Sequence, residues 1–129
     1  MQERVSVDGT AEVATLKMIV CGGRNYADRQ RLDAVLHAAV ARLGLAEIVH
    51  GGARGADSMA GEWALARGIP VKEFPAAWAN EGRSAGPRRN HRMLVEGRPD
   101  AVIAFPGGRG TANTVAQARA AGIPVYEIT

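Results

Sequence analysis

The chain contains a single cysteine, Cys21, among 129 residues. One thiol excludes an intrachain disulfide and any zinc site built from several cysteines, in keeping with a reducing compartment. Aromatic residues make up only 5% of the sequence, too few to line a long stacking track for a single nucleic-acid strand. No apolar run is long enough to span a bilayer, and Met1-Gln2-Glu3-Arg4 has none of the layout of a secretory leader, so a cytoplasmic protein is expected. Neither His37 nor His50 is followed by a metal-ligating residue at i+3 or i+4, so no metal and no dedicated cofactor are expected. Acidic residues are in slight deficit, 13 against 16 basic ones, for a net charge of +3. That balance favours anionic ligands but falls short of the charge density of a dedicated nucleic-acid binder.

What is present is enough apolar material, 47% of residues, for one well-filled core. Residues 1–16 show no period and read as an N-terminal extension or a short edge element; 17–129 read as one domain. Within it, apolar runs alternate with helical patterns. Strands are expected at Lys17–Cys21, Ala46–His50, Val71–Phe74, Ala101–Phe105 and Val125–Ile128. Helices are expected at Asp28–Leu43, after the loop at 51–57, at Arg88–Glu96 and at Thr111–Ala121. Pro75–Pro87 is rich in Gly, Pro and small residues and reads as a long irregular segment. Parallel neighbours need right-handed crossovers, so the fold class is α/β: a Rossmann-like doubly wound parallel sheet with helices on both faces.

Three of the strand ends run into Gly-Gly turns followed by an arginine: Cys21-Gly-Gly-Arg24, His50-Gly-Gly-Ala-Arg-Gly55 and Phe105-Pro-Gly-Gly-Arg-Gly-Thr111. Glycine lets backbone approach a ligand, and the N–H groups of a following helix's first turn make an anion site there. Ligands of doubly wound sheets lie beyond these strand ends, so one crevice can collect all three loops. Gly107, Gly108, Gly110 and Thr111 are therefore assigned to phosphate, with Arg109 able to fold over it; an N-cap role for Thr111 is the alternative. Gly51, Gly52, Arg54 and Gly55 form a second wall, where Asp57 either accepts from ribose hydroxyls or caps a helix. Gly22, Gly23, Arg24 and Asn25 form a third. Arg88 and Arg92 stand four apart on one helical face, a repulsive spacing unless an anion lies between them. Cys21 reads as a core residue. Trp78 and Tyr26, near the loops, are candidates for stacking on a base.

Cys-Gly-Gly-Arg-Asn-Tyr at 21–26, Gly-Gly-Ala-Arg-Gly-Ala-Asp at 51–57, Ala-Gly-Pro-Arg-Arg-Asn at 85–90 and Pro-Gly-Gly-Arg-Gly-Thr-Ala at 106–112 resemble, in that order, the YspA-like branch of the SLOG superfamily. The third glycine loop is similar to that of the LOG phosphoribohydrolases, and the second to that of the DNA-processing protein DprA (Smf). The resemblance implies binding of a nucleotide or nucleotide-derived ligand, with Asn90 and Arg88 in the ligand-binding set. It also implies a catalytic role for Arg89, which stands four residues before Met93 as the LOG arginine stands before its methionine. LOG proteins carry a glutamate three residues after the loop threonine; here that position is Thr114, which leaves N-glycosidic cleavage without its carboxylate unless Asp57, Glu62 or Glu81 replaces it.

The expected function is binding or sensing of a nucleotide-derived small molecule. The alternatives are a nucleotide N-glycosidase and, behind it, a DprA-like binder of single-stranded DNA. No membrane partner is expected, and a homodimer is left open.

Overall fold

A computed structural model describes residues 4–5, 11–12 and 15–129. Two short strands, β1 (Arg4–Val5) and β2 (Ala11–Glu12), pair antiparallel with each other. The rest of the expected extension over residues 1–16 lies outside the described residues, apart from Thr15 and Leu16. The domain proper runs β3 (Leu16–Cys21), α1 (Arg29–Leu43), β4 (Leu45–His50), α2 (Ala56–Ala66), β5 (Val71–Glu73), α3 (Trp78–Glu81), a 3₁₀ turn at Gly82–Ser84, α4 (Ala85–Gly97), β6 (Ala101–Ala104), α5 (Arg109–Ala120) and β7 (Val125–Glu127). Five of these strands form an all-parallel sheet in the order β5-β4-β3-β6-β7, a Rossmann-like doubly wound arrangement.

The apolar runs become central strands because both their faces are covered. Along β3, Met18 and Val20 pack with α1 and α2 through Leu32, Leu36, Ala60 and Trp63, whereas Ile19 and Cys21 pack with Met93 of α4 and with Val115 and Ala118 of α5. This period-two division is the sheet's own geometry, and it makes two cores, one on each face. Helix α1 is bounded as its sequence dictates: the Asp28 carboxylate accepts from the Arg31 N–H at 3.0 Å, and Gly44 takes the left-handed conformation at the other end.

The segment 75–87 departs from expectation. It folds into α3, the 3₁₀ turn and the first turn of α4, so that α4 begins three residues before Arg88. Gly82, at φ +56, marks the joint between two of these short helical pieces, while Gly86 and Pro87 fall in the first turn of α4. The other end of α4 also differs. Gly97 lies against Val49, where a Cβ would stand 3.2 Å from a valine methyl, and Arg98 takes the left-handed position instead.

The strand order sets the location of the site. The chain builds leftward from β3 through β4 to β5, then returns to place β6 on the other side of β3, so the switch in direction falls between β3 and β6. Cys21 and Ala104 are level in the ladder, and the pairing continues past it: the Phe105 N–H donates to Cys21 O at 2.8 Å and the Gly23 N–H to Pro106 O at 2.9 Å. The first and third glycine loops are thereby fixed to each other at the position where open α/β sheets hold ligands. No helix among the described residues is long and apolar enough to cross a membrane.

Candidate functional site

A crevice of about 1230 Å³ opens above the C-terminal ends of β3, β4 and β6. The three glycine loops contribute Gly22, Gly23, Arg24, Asn25, Gly51, Gly52, Arg54, Asp57 and the whole of Gly107–Thr111; α4 adds Arg89 and Asn90. Of the residues expected from sequence, Gly55 and Arg88 do not line it. Gly55 works one layer below. At φ +78 its α-carbon faces the backbone carbonyls of Gly23 and Arg24, where any side chain would collide, so it sets how closely α2 meets the first loop.

The three loops differ in what their N–H groups are free to do. In the second, every early donor is taken from within: the Gly51 N–H donates to the Asp57 carboxylate at 2.9 Å, Gly52 to His50 Nδ1 at 2.9 Å and Ala53 to Asp57 again at 3.5 Å. Asp57 sits in the first turn of α2, behind the Gly55 cap, so it serves neither as N-cap nor as a free surface carboxylate. It is an internal anion that occupies the place a phosphate takes in a loop of this type. The third loop has no such occupant. Helix α5 starts after Gly108 with no side-chain cap and no acidic residue in its first turn, and its first internal bond runs from the Ala112 N–H to Gly108 O. The N–H groups of Arg109, Gly110 and Thr111 therefore lack intrahelical partners and lie at the positive end of the helix dipole. Thr111 is the third helical residue, not the cap, and its hydroxyl lies against the α-carbon of Gly107.

Charge points the same way. Five guanidinium-bearing residues line the crevice, Arg24, Arg54, Arg83, Arg89 and Arg109, against one carboxylate, Asp57. Among the described residues none of the five has a carboxylate within ion-pair distance. Arg88 and Arg92 are different. The anion between them is Glu81, 3.5 Å from Arg88 and 3.6 Å from Arg92, at a shallow depression away from the loops. Their spacing is met from within the chain and requires no external ligand.

Arg89 is held by a polar chain that crosses three elements. One of its terminal nitrogens donates to Gly51 O and its Nε to Asn90 Oδ1 at 2.8 Å. Buried Asn90 donates in turn to Asn113 Oδ1 at 3.0 Å, which also accepts from Gln117 Nε2 at 2.7 Å. Gly51 thus stands between the two charges, with Asp57 on its N–H and Arg89 on its carbonyl. Burial pushes Asp57 up to about 6, against the lowering effect of the Gly51 N–H and of Arg89. Burial also lowers Arg89, with Asp57 opposing. Burial of Cys21, reinforced by Asp57, pushes its thiol up to about 12, so it stays protonated and unreactive at neutral pH.

Asp57 has a consequence for stability that can be measured. Its folded-state pKa is raised above the ordinary value of 3.8, so between about pH 4 and pH 6 the folded state binds more protons than the unfolded one. Stability is then greatest below that window and falls as pH rises through it, by about 1–3 kcal/mol for a shift of this size. Burial lowers His50 and acts in the opposite direction at low pH. Asp57→Asn isolates the carboxylate: urea unfolding at intervals from pH 4 to 7 is expected to show wild type losing stability relative to the variant, whereas parallel curves would mean that Asp57 ionises as in water.

Other residues on the crevice wall went unassigned from sequence. Arg83, Pro75 and Ala76 lie in the segment read as irregular, and Asn113 and Met93 face inward only because α4 and α5 pack side by side. The inward spacing of Arg89, Asn90 and Met93 on one helix was the available signal. Thr114 is buried, and its hydroxyl donates to Gly110 O at 3.2 Å, a bond back to its own helix. The carboxylates that could replace a glutamate there are unequally placed. Glu62 pairs with Arg29 on the outer surface and Glu81 with Arg88 and Arg92, leaving Asp57 alone in the crevice.

A family model described as YspA, cpYpsA-related SLOG family matches residues 16–80, which include the first two glycine loops and Trp78 and stop before α4. The Gene 61 protein of Mycobacterium phage D29 is 36% identical over 118 residues, covering 84% of this chain and 93% of that protein.

Proposed function

This chain belongs to the YspA, cpYpsA-related SLOG family, and from that premise we propose that it binds or senses a nucleotide or nucleotide-derived ligand through the ligand's phosphate. Membership supports a nucleotide-related role in general. The observation that carries the narrower reading is the uncapped start of α5, open to a crevice ringed by five arginines that have no carboxylate partner among the described residues. A dianionic phosphate placed there accepts from backbone N–H groups and meets guanidinium groups, the two partners that hold phosphate best. In this reading Gly107, Gly108, Gly110 and Thr111 form the cradle, Arg109 and Arg24 close over it, and Arg89, pre-positioned by Asn90, clamps phosphate or sugar. Arg88, fixed to Glu81 outside the crevice, has no part in it.

The nucleic-acid alternative is weakened by the same geometry, because two of the five arginines between positions 83 and 98 (Arg83, Arg88, Arg89, Arg92 and Arg98) share the carboxylate of Glu81, namely Arg88 and Arg92. A thermal-shift panel tests the proposal. At about 100 times its dissociation constant a cognate ligand adds about 2.7 kcal/mol by mass action, several degrees for a domain of this size. Nucleoside mono- and diphosphates, dinucleotides, cyclic nucleotides and ADP-ribose derivatives are expected to include at least one that produces such a shift. A panel that leaves the melting temperature unmoved, or a short single-stranded oligonucleotide that binds tightly at physiological salt while free nucleotides do not compete, would reject it.

A further inference from the structure

We infer that the crevice has a separate base-binding subsite on Trp78, and that the ligand lies across the sheet with its phosphate on the β6–α5 loop and its planar base on that indole. The inference rests on the phosphate reading above and adds the identity and direction of the rest of the ligand. The chain has two tryptophans, and the fold separates them. Trp63 is buried under α1 and α2, with the Arg67 guanidinium over its ring. Trp78 is 59% exposed, and it is the one large exposed apolar side chain among the described residues that also lines the crevice. Tyr26 lines the crevice too, but its ring packs on Phe105 with centroids 5.2 Å apart, which commits it to the core edge.

The indole of Trp78 is supported from behind. The far edge of its six-membered ring lies over Gly86, the second residue of α4, where a Cβ would make contact at 3.4 Å. One edge of the ring thus lies beside the start of α4 while the ring also borders the crevice. Leaving so large an apolar surface in water has no benefit for folding, whereas a ring fixed from one side makes a stacking platform at little conformational cost. Arg83 lines the same end of the crevice and supplies a second planar group able to lie on a base.

The span fits one ligand. Trp78 follows β5 and the phosphate loop follows β6, with β4 and β3 between them in the sheet. Three strand spacings, about 14 Å, separate β5 from β6, comparable with the length of a nucleoside monophosphate laid end to end. The middle of that path passes the second loop, where the Arg89 guanidinium lies against Gly51, the Glu73 carboxylate against Gly52, and Asp57 borders the wall. The ligand class is thus a nucleoside phosphate, not a sugar phosphate or an inorganic anion.

Calorimetric titration with the four common ribonucleoside 5′-monophosphates and with ribose 5-phosphate decides this. At least one nucleotide is expected to bind more tightly than ribose 5-phosphate by about 5- to 100-fold, the usual contribution of one base stacked on an aromatic ring. Trp78→Ala, at an exposed position, is expected to remove most of that advantage and to leave ribose 5-phosphate affinity unchanged, while Trp78→Phe restores much of it. Saturable quenching of tryptophan emission by the nucleotide, absent in Trp78→Ala, is the expected spectroscopic signature. Equal affinities for nucleotides and ribose 5-phosphate, or a Trp78→Ala variant that binds the nucleotide as well as wild type, would overturn the base subsite while leaving the phosphate reading in place. Equal losses for nucleotide and ribose 5-phosphate in Trp78→Ala would also overturn it, since the ring would then be shaping the phosphate loop. Binding of none of the five probes overturns this orientation, and the phosphate reading then stands or falls on the wider thermal-shift panel.

Discussion

Replacing Gly108 with valine is expected to abolish ligand-induced stabilisation while leaving the fold intact. Gly108 precedes the first residue of α5 at a negative φ, and nothing lies within 4 Å of where its Cβ would stand. A valine there keeps its backbone and extends two methyl groups into the space beside the helix N-terminus, where a phosphate must approach to within hydrogen-bond distance. If affinity falls by about 100-fold, a ligand held at 100 times the original dissociation constant stabilises by about 0.4 kcal/mol instead of about 2.7, and the thermal shift all but disappears. The control is a neighbour that fails for a different reason. At Gly107 an added Cβ would collide with the Thr111 side chain and the Gly23 N–H, and at Gly55 with the Gly23 carbonyl. Substitution at either is expected to lower the unliganded melting temperature itself. A Gly108→Val protein that melts as wild type and still responds fully to ligand would move the phosphate away from α5.

Much of this arrangement was legible before any coordinates. Apolar runs bounded by Gly-Gly turns can be satisfied only as central parallel strands, and the crossover rule then fixes where the loops gather. What the residue types alone could not show was which donors and charges were already spent. The loop at 51–57 and the loop at 106–111 look alike as strings, yet Asp57 folds back onto the first and fills it, a contact set by the left-handed turn at Gly55. The pair Arg88 and Arg92 looked like half of an external contact because Glu81, its anion, is supplied by α3 from seven residues away, in a stretch whose glycines and prolines concealed a helix. Composition is a weak guide where short helical pieces are joined by breakers, since each piece is too brief to show a period. The inward face of α4 was partly visible through Arg89 and Met93, but Asn113 and Asn90 meet only because α4 and α5 lie side by side.

Turnover is the sharper question, because the crevice holds some of what N-glycoside hydrolysis needs. Cleavage passes through an oxocarbenium-like transition state, helped by a carboxylate that stabilises it or activates water and by an acid that protonates the leaving base. Thr114, at the position where LOG proteins carry a glutamate, turns its hydroxyl to Gly110 O and offers no charge. Asp57 is the remaining candidate, and its environment works against it: two loop N–H groups already hold one oxygen, and burial places its pKa about 6, so that its ionised form is costly in a site built from its own backbone. General acid–base assistance is worth about 10²–10⁴-fold in rate. Nucleoside monophosphates and NAD-like compounds incubated with the protein are therefore expected to release free base at a rate lower than that of a carboxylate-equipped hydrolase by at least about that factor, with Arg89 acting as a clamp. Chromatography of free base over several hours checks the expectation. Multiple turnovers abolished by both Arg89→Ala and Asp57→Asn would reverse it, because two residues that both bond the backbone of Gly51 would then be working as an acid and its electrostatic partner. A rate that follows the ionisation of one group near pH 6 would identify that acid as Asp57.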